Sequence, residues 1–349
     1  MDERPEYIDS PAAWLGREMA QNPDLWIHTL NNEQVSELEE ACNSFLNDGH
    51  HLGTISQNNF PLPELHEILT NIRSELQHGK GFVLLKGLPV ENYSIEQCAT
   101  IFCGIGAHLG IARSQNAKGH MLGHVTDVGA DLSNANVRIY QTAERQSFHT
   151  DSCDCVGLLC LKAAKEGGDS LLASTVTLYN EMQKRRPDLL DILFKPIPTD
   201  RRGEIPEGQK SYFEIPVLNW YEGRLTGLYQ RTYINSSQHL PEAPRLQQDQ
   251  IDALDLFDEI ANDPEVHLKM RLEPGDVQFV YNHTMLHDRT AFQDWSAPEG
   301  RRYLLRLWLA LPDDRPLPET FKQRYGSIEI GNRGGIITKD TKLNVSLTP

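Results

Sequence analysis

A histidine and an aspartate two residues apart, His149 and Asp151, are the first pair in this sequence that could do chemistry. They stand in a run, 147–151, that is predicted to be a strand. Alternate side chains on a strand share a face, so the two point the same way, about 6.6 Å apart at ~3.3 Å per residue. One imidazole and one carboxylate suit Fe(II), Mn(II) or Zn(II). Because 13 histidines make such a triplet common by chance, and two ligands hold an ion weakly, a third ligand must come from elsewhere.

A second informative region begins at the turn Pro274-Gly275-Asp276, which leads into a strand and then a loop that carries His287. Further on, the strand predicted over 301–310 places Arg302 and Arg306 on one face of an otherwise apolar run. Burying two guanidinium groups is costly unless anionic partners accompany them. A bound dicarboxylate or another anion is therefore the simplest explanation for this strand.

Composition and charge exclude several classes of protein. The chain has 349 residues and a formal net charge of −16, which repels phosphate backbones and argues against nucleic-acid binding. We find no run of 18 apolar residues and no apolar leader after the acidic start, so neither a membrane span nor a secretory signal is expected. Six scattered cysteines do not form a disulfide framework, which favours a reducing, intracellular (cytoplasmic) location. The expected partner is a small molecule.

Periodicity predicts helices before and between many short strands. Helices are predicted over 31–48, 63–77, 94–109, 176–195 and 248–262. Strands are predicted over 82–85, 137–141, 147–151, 156–162, 170–174, 212–219, 225–233, 277–281 and 301–310. This pattern indicates an α+β protein built around a β-sandwich or barrel. We expect a single domain over 1–349, with a helical N-terminal layer (1–80), a core (81–311) and a C-terminal segment that wraps the surface (312–349).

Taken together, the motifs resemble those of a known family, the taurine dioxygenase/TfdA-like Fe(II)- and 2-oxoglutarate-dependent dioxygenases. The resemblance rests on His149-x-Asp151, Gly167-Gly168-Asp169-Ser170, the Pro-Gly-Asp strand followed by Leu286-His287-Asp288-Arg289-Thr290, and Arg302-x-x-x-Arg306. It covers about residues 80–311. It implies a double-stranded β-helix, or jelly roll, with helices packed outside.

The resemblance also implies a role for each site residue. His149, Asp151 and His287 would be the metal ligands and the catalytic centre, with open positions on Fe(II) for 2-oxoglutarate and O2. Arg302, helped by the hydroxyl of Ser170, would hold the distal carboxylate of 2-oxoglutarate. Arg306 would face its 1-carboxylate or an anionic substrate group. The activity implied is oxidation of an unactivated C–H bond of a small polar or anionic molecule, with release of succinate and CO2.

Several alternatives stay open at the level of sequence. The loop between His287 and Arg302 is longer than in the best-known family members, so the division of roles between the two arginines is unsettled. Arg231, on a predicted strand, is a candidate substrate contact or a surface residue. His283 is an alternative ligand that the motif disfavours. A zinc or manganese hydrolase or isomerase on the same type of barrel, or a non-catalytic binding relative, are the rival functions. Substrate contacts are expected from 111–146 and 199–235.

Overall fold

The computed structural model describes residues 4–129 and 139–349, and helices and sheets alternate along both ranges. The α-helices are α1 (Gly16–Gln21), α2 (Asn32–Asn47), α3 (His66–His78), α4 (Ile95–Leu109), α5 (Thr175–Arg185), α6 (Pro187–Leu193), α7 (Arg231–Ser237), α8 (Gln248–Ala261) and α9 (Lys322–Tyr325). The strands are β1 (Ile27–Thr29), β2 (Phe82–Lys86), β3 (Ile111–Ala112), β4 (Leu122–Thr126), β5 (Gln146–His149), β6 (Cys155–Lys162), β7 (Glu166–Gly167), β8 (Ser170–Ser174), β9 (Ile197–Asp200), β10 (Tyr212–Ile215), β11 (Leu218–Tyr221), β12 (Arg224–Gly227), β13 (Leu268–Met270), β14 (Val277–Tyr281), β15 (Met285–Arg289), β16 (Phe292–Gln293) and β17 (Tyr303–Ala310). Within the described ranges, no helix combines the length and apolar character that crossing a membrane requires.

The larger sheet has the strand order β1-β2-β14-β6-β17-β3, with β4 also paired to β17. The side chains of strand β17 show that this sheet is buried on both faces. Leu304 and Trp308 pack into one hydrophobic cluster toward the second sheet, whereas Leu305 and Leu307 pack into another beneath the N-terminal helices. Alternation of side chains along the strand therefore aims the even-numbered residues, Arg306 among them, between the two sheets.

The N-terminal helices α2, α3 and α4 cover the outer face of this sheet. Two of them begin at capping boxes: Asn31 with Gln34, and Ser94 with Gln97, each satisfy the first free N–H groups of a helix. The predicted helices over 31–48 and 94–109 are confirmed to within a residue or two. Helix α4 is apolar around most of its surface because it lies between the sheet and the other helices.

The second sheet, β13-β8-β15-β5, carries the metal-ligand candidates. Strands β15 and β5 are antiparallel, and His287 is directly paired with His149. On its other side β15 pairs with β8 without a register shift, so Arg289 lies opposite Ser170. Register alone therefore brings side chains from three distant parts of the sequence to one face.

Four predictions of secondary structure were wrong in detail. The single strand predicted over 212–219 is two strands, β10 and β11, which belong to different sheets. Residues 137 and 138 lie outside the described residues, and Ile139–Gln141 form a 3-10 turn rather than a strand. The single helix predicted over 176–195 is two helices, because Pro187 cannot continue α5 and instead starts α6. The strand predicted over 225–233 ends at Gly227, and Arg231 begins α7.

The C-terminal segment, residues 312–349, returns to the body of the protein and is fixed there by buried ion pairs. Arg333 is fully buried, and its guanidinium donates from Nε to Asp154 and from Nη2 to Asp314, each at 2.8 Å. His283 Nε2 lies 2.8 Å from the same oxygen of Asp154. This cluster of two carboxylates, an imidazole and a guanidinium ties the segment to the chain just beyond Asp151.

Candidate metal centre

Three side chains, His149, Asp151 and His287, converge between the two sheets, with potential ligand atoms all within 4.8 Å of one another. The distance from His149 Nε2 to Asp151 Oδ1 is 3.9 Å, and that from His287 Nε2 to Asp151 Oδ2 is 3.7 Å. Both are too long for hydrogen bonds, but both fall below the roughly 4.2 Å span that two ~2.1 Å bonds to one ion allow. The geometry fits a cation between the three groups.

Burial sets the protonation of these donors. It lowers the pKa of His287 to about 3 and lowers the pKa of His149 as well, so both imidazoles are neutral and can offer a lone pair. Burial by itself would raise the pKa of Asp151, but the positive charge of Arg306 and a hydrogen bond from Trp308 lower it. The donor set is thus two neutral imidazoles and one carboxylate, which suits Fe(II) with open positions.

Neighbouring groups orient the ligands. His149 Nδ1 lies 2.9 Å from the carbonyl oxygen of Ser147, and donation to that oxygen leaves the lone pair on Nε2. Gln146 Nε2 lies 2.9 Å from this Nε2, a contact that a bound metal would replace. Trp308 Nε1 donates to Asp151 Oδ2 at 2.8 Å, and Asn282 Oδ1 accepts from the Asp151 N–H at 2.9 Å. Sequence reasoning missed both residues. For Trp308 the signal existed, since it stands two positions after Arg306 on the same strand face.

Replacing Trp308 with phenylalanine tests this orienting bond. The ring volume is largely kept but the N–H is lost, so we expect metal affinity to fall about 10- to 100-fold. A competition titration against a chelator measures it, and Trp295→Phe, at a half-exposed surface position, is the matched control. Equal affinities for the two variants would show that this hydrogen bond does not hold Asp151 for the metal.

The two arginines of β17 and its approach have different surroundings. Arg306 lies beside the triad, with Nη1 3.9 Å from Asp151 Oδ2 and Nε donating to Gln115 Oε1 at 2.7 Å. Arg302 lies farther along and is 5% exposed, and its Nη1 is buried without a hydrogen-bond partner among the described residues. Burial lowers its pKa to about 10. An unpartnered guanidinium N–H at this depth indicates a place for an anion.

The other predicted residues are placed as follows. Ser170 Oγ is buried and donates to Gln278 Oε1 at 3.1 Å. Arg231 does not reach the centre: its guanidinium forms ion pairs with Asp255 and Asp258 on α8, and it is absent from the described residues that line the cavity beside the triad. The suggestion that Arg231 contacts substrate is corrected accordingly. His283 belongs to the separate cluster around Arg333.

A cavity of about 420 Å³ lies beside the centre, and of the three candidate ligands Asp151 lines it. Asp151, Arg306 and Trp308 form one end of it, and the two loop regions predicted to contact substrate, 111–146 and 199–235, supply most of the other described lining residues. The C-terminal segment adds Arg324 and Ile336 among others. A small organic molecule fits a space of this size.

Comparison with known proteins agrees with this geometry. The family described as "Taurine catabolism dioxygenase TauD, TfdA family" matches residues 48–308. FR-33289 synthase of Streptomyces rubellomurinus is 31% identical over 320 residues, covering 89% of this chain and 93% of that protein. Taurine hydroxylase-like protein SAT17 of Stachybotrys chartarum is 31% identical over 314 residues, covering 86% and 79% respectively.

A solved structure shares the fold. The non-haem iron oxygenase OrfP, in complex with Fe and alpha-ketoglutaric acid, superposes with a TM-score of 0.62 at 15% sequence identity, covering 81% of this chain and 93% of that chain. The family match and the curated relatives confirm the resemblance seen in the motifs, together with the enzyme class and cofactors that it implies. The chain therefore belongs to the TauD/TfdA family and is an Fe(II)- and 2-oxoglutarate-dependent dioxygenase.

Proposed function

We propose that His149, Asp151 and His287 bind Fe(II), and that Arg302, Arg306 and Ser170 bind 2-oxoglutarate. The reaction oxidises a C–H bond of a small polar or anionic molecule and releases succinate and CO2. One observation carries the proposal: the three donors converge within 4.8 Å of one another in a protein whose buried Arg302 keeps an Nη1 without a hydrogen-bond partner among the described residues. We also propose that the two larger sheets, which face each other across this centre, form a double-stranded β-helix.

The residues of the chain do four things in this mechanism. Arg306 and Trp308 keep Asp151 ionised, and Ser147 fixes the tautomer of His149. Arg302 grips the distal carboxylate, which holds the cosubstrate in one orientation before chemistry begins. Burial of the triad keeps bulk water away from the reacting groups. When bound, Fe(II) and 2-oxoglutarate supply the electrons that reduce O2, at the cost of decarboxylating the cosubstrate.

Charge in the cavity supports an anionic substrate. Beyond Arg306, the described lining includes the cationic side chains Lys118, Arg202 and Arg324, against Glu204 as the carboxylate other than Asp151. Arg324 donates from Nε to Ser152 Oγ at 2.7 Å, which holds it next to the residue that follows Asp151. A cationic cavity in a protein of net charge −16 concentrates anions locally.

The location of the enzyme is proposed from its thiols. All six cysteines are buried and free of disulfide bonds. Burial raises the pKa of Cys103 to about 12 and that of Cys160 to about 12, which keeps these thiols protonated. We infer a reducing compartment, the cytoplasm, in which such thiols persist.

A substrate screen tests the function. Protein loaded anaerobically with Fe(II) is mixed with 2-oxoglutarate and one compound at a time, then exposed to air, and succinate is measured. The library contains matched sets that share a carbon skeleton and end in a phosphonate, a sulfonate, a carboxylate or a neutral amide. We expect substrate-stimulated succinate release with an anionic member of a set. Release without any dependence on 2-oxoglutarate, or no release with Fe(II) present, would contradict the reaction type.

Replacing Arg324 with glutamine tests the preference for an anion. We expect the KM for the anionic substrate to rise about 10-fold or more, because a charge-assisted hydrogen bond is lost, while the KM for 2-oxoglutarate is unchanged. Arg185→Gln, on the outer surface of α5, is the matched control. If the neutral amide of the same skeleton is turned over as well as the anion, the anionic preference is wrong and the reaction type stands.

A further inference from the structure

A third arginine, Arg289, faces the same space as the two that the motifs single out. It follows His287 by two residues on β15, so both side chains leave the strand on the same face. At ~3.3 Å per residue, Arg289 stands about 6.6 Å from the ligand position along the strand. Its cross-strand partner on β8 is Ser170. Arg289 is thus set where the far end of an extended five-carbon diacid would lie.

The contacts of Arg289 fix its position without neutralising it. Nη1 donates to the carbonyl oxygen of Thr142 at 2.9 Å, and Nη2 donates to that of Glu144. Its Nε is buried and has no hydrogen-bond partner among the described residues. The side chain is 7% exposed, so bulk water does not satisfy this N–H either.

Arg289 and Arg302 lie against one ring. The guanidinium carbon of Arg289 is 4.8 Å from the centroid of Phe292, and that of Arg302 is 5.3 Å from the same centroid. Within the part of the chain that the structure describes, no carboxylate forms an ion pair with either arginine. Burial and the nearby charge of Arg302 together lower the pKa of Arg289 to about 10.

Two buried like charges near one ring are unfavourable unless an anion accompanies them. Within the described part of the chain, each of the two guanidiniums keeps one N–H without a partner, Nε of Arg289 and Nη1 of Arg302. A carboxylate has two oxygens and accepts two such N–H groups at once. One carboxylate therefore satisfies both donors and both charges.

We propose that Arg289 is a second cosubstrate-binding cation, which receives the distal carboxylate of 2-oxoglutarate together with Arg302. The inference rests on the proposed function and extends it. The inference also explains the hydrogen bonds to the carbonyl oxygens of Thr142 and Glu144. They fix the guanidinium so that its Nε faces the bound carboxylate. Loss of Arg289 should weaken the binding of 2-oxoglutarate only through contacts with its distal carboxylate.

Two ligands that differ at that end provide the test. The full-length protein is loaded with Mn(II) under nitrogen, and calorimetric titration gives the Kd of 2-oxoglutarate and of 2-oxovalerate, which has a methyl group in place of the distal carboxylate. We expect Arg289→Gln to raise the Kd of 2-oxoglutarate about 10- to 100-fold and to change the Kd of 2-oxovalerate less than about 3-fold. Arg302→Gln should behave alike. The control is Arg301→Gln, an exposed neighbour, with no change for either ligand.

The outcomes separate this inference from the function on which it rests. An equal loss for both ligands would mean that Arg289 only anchors the chain at Thr142 and Glu144, and an unchanged Kd would mean that it contributes nothing; either overturns the proposal while the function stands. Failure of the unaltered protein to bind 2-oxoglutarate would overturn both. If Arg289→Gln does not fold, Arg289→Lys is judged by the same rule, because lysine keeps the charge but not the fork of N–H donors.

Discussion

The alanine variant of His287 is expected to lose iron and turnover together. Two donors would remain, and removal of a group that merely orients a ligand already costs about 10- to 100-fold in metal affinity, so loss of the ligand itself should exceed this. Iron content after anaerobic loading and gel filtration measures retention, and succinate release measures turnover. His149→Ala should give the same result, since the two histidines form one cross-strand pair.

His283→Gln is the matched comparison, because it lies four residues earlier and offers the other histidine of this region. His283 is fully buried between Asp154 and the ring of Tyr325, so the variant will lose stability. It should still retain iron in stoichiometric amount at a temperature where it is folded. Retention of iron by His287→Ala together with its loss from His283→Gln would reverse the ligand assignment.

Replacing Arg333 with methionine is expected to cause the largest loss of stability. The change leaves Asp154 and Asp314 buried without the guanidinium that bridges them. Breaking a buried pair by removing one partner typically costs about 3–5 kcal/mol, and in a chain of this size that lowers Tm by roughly 4–7 °C. Urea or thermal unfolding followed by circular dichroism measures it.

A double variant separates loss of charge balance from loss of packing. Arg333→Met combined with Asp154→Asn removes one cation and one anion, so its stability should exceed the value that adding the two single effects would give. The exposed pair Arg186 and Asp188 serves as the surface control, for which the same pair of changes should leave the stability nearly unchanged. A buried pair that behaves like this surface pair would refute the account of the cluster.

Local pattern was enough to find half of the centre. Alternation along one strand put His149 and Asp151 together, and the same rule put Arg302 and Arg306 on one face. The rule held although β5 ends at His149 and Asp151 lies just beyond it. What no local pattern contains is the pairing of His287 with His149, because cross-strand register is decided by the packing of both sheets. The family resemblance supplied that link.

The residues that sequence reasoning missed fall into two groups. Trp308 and Arg289 each stand two positions from a residue already identified on the same strand, so parity could have found them. No sequence pattern predicts the cluster of Asp154, His283 and Arg333. Its members lie far apart in the sequence, and the fold of the C-terminal segment brings Arg333 to the other two. The prediction for Arg231 failed for a different reason. The strand predicted to contain it ends before it, and its guanidinium forms ion pairs with acidic residues of helix α8.

The cross-strand pair of His149 and His287 has a thermodynamic consequence. An ion bound by both histidines would link the edge strand β5 to the interior strand β15 of the same sheet. Whatever binds the native form but not the opened one shifts the balance toward the native form by RT ln(1 + [L]/Kd). Local opening of β5 and dissociation of the metal are therefore linked equilibria. We expect saturation with metal to slow hydrogen exchange of the backbone amides of β5.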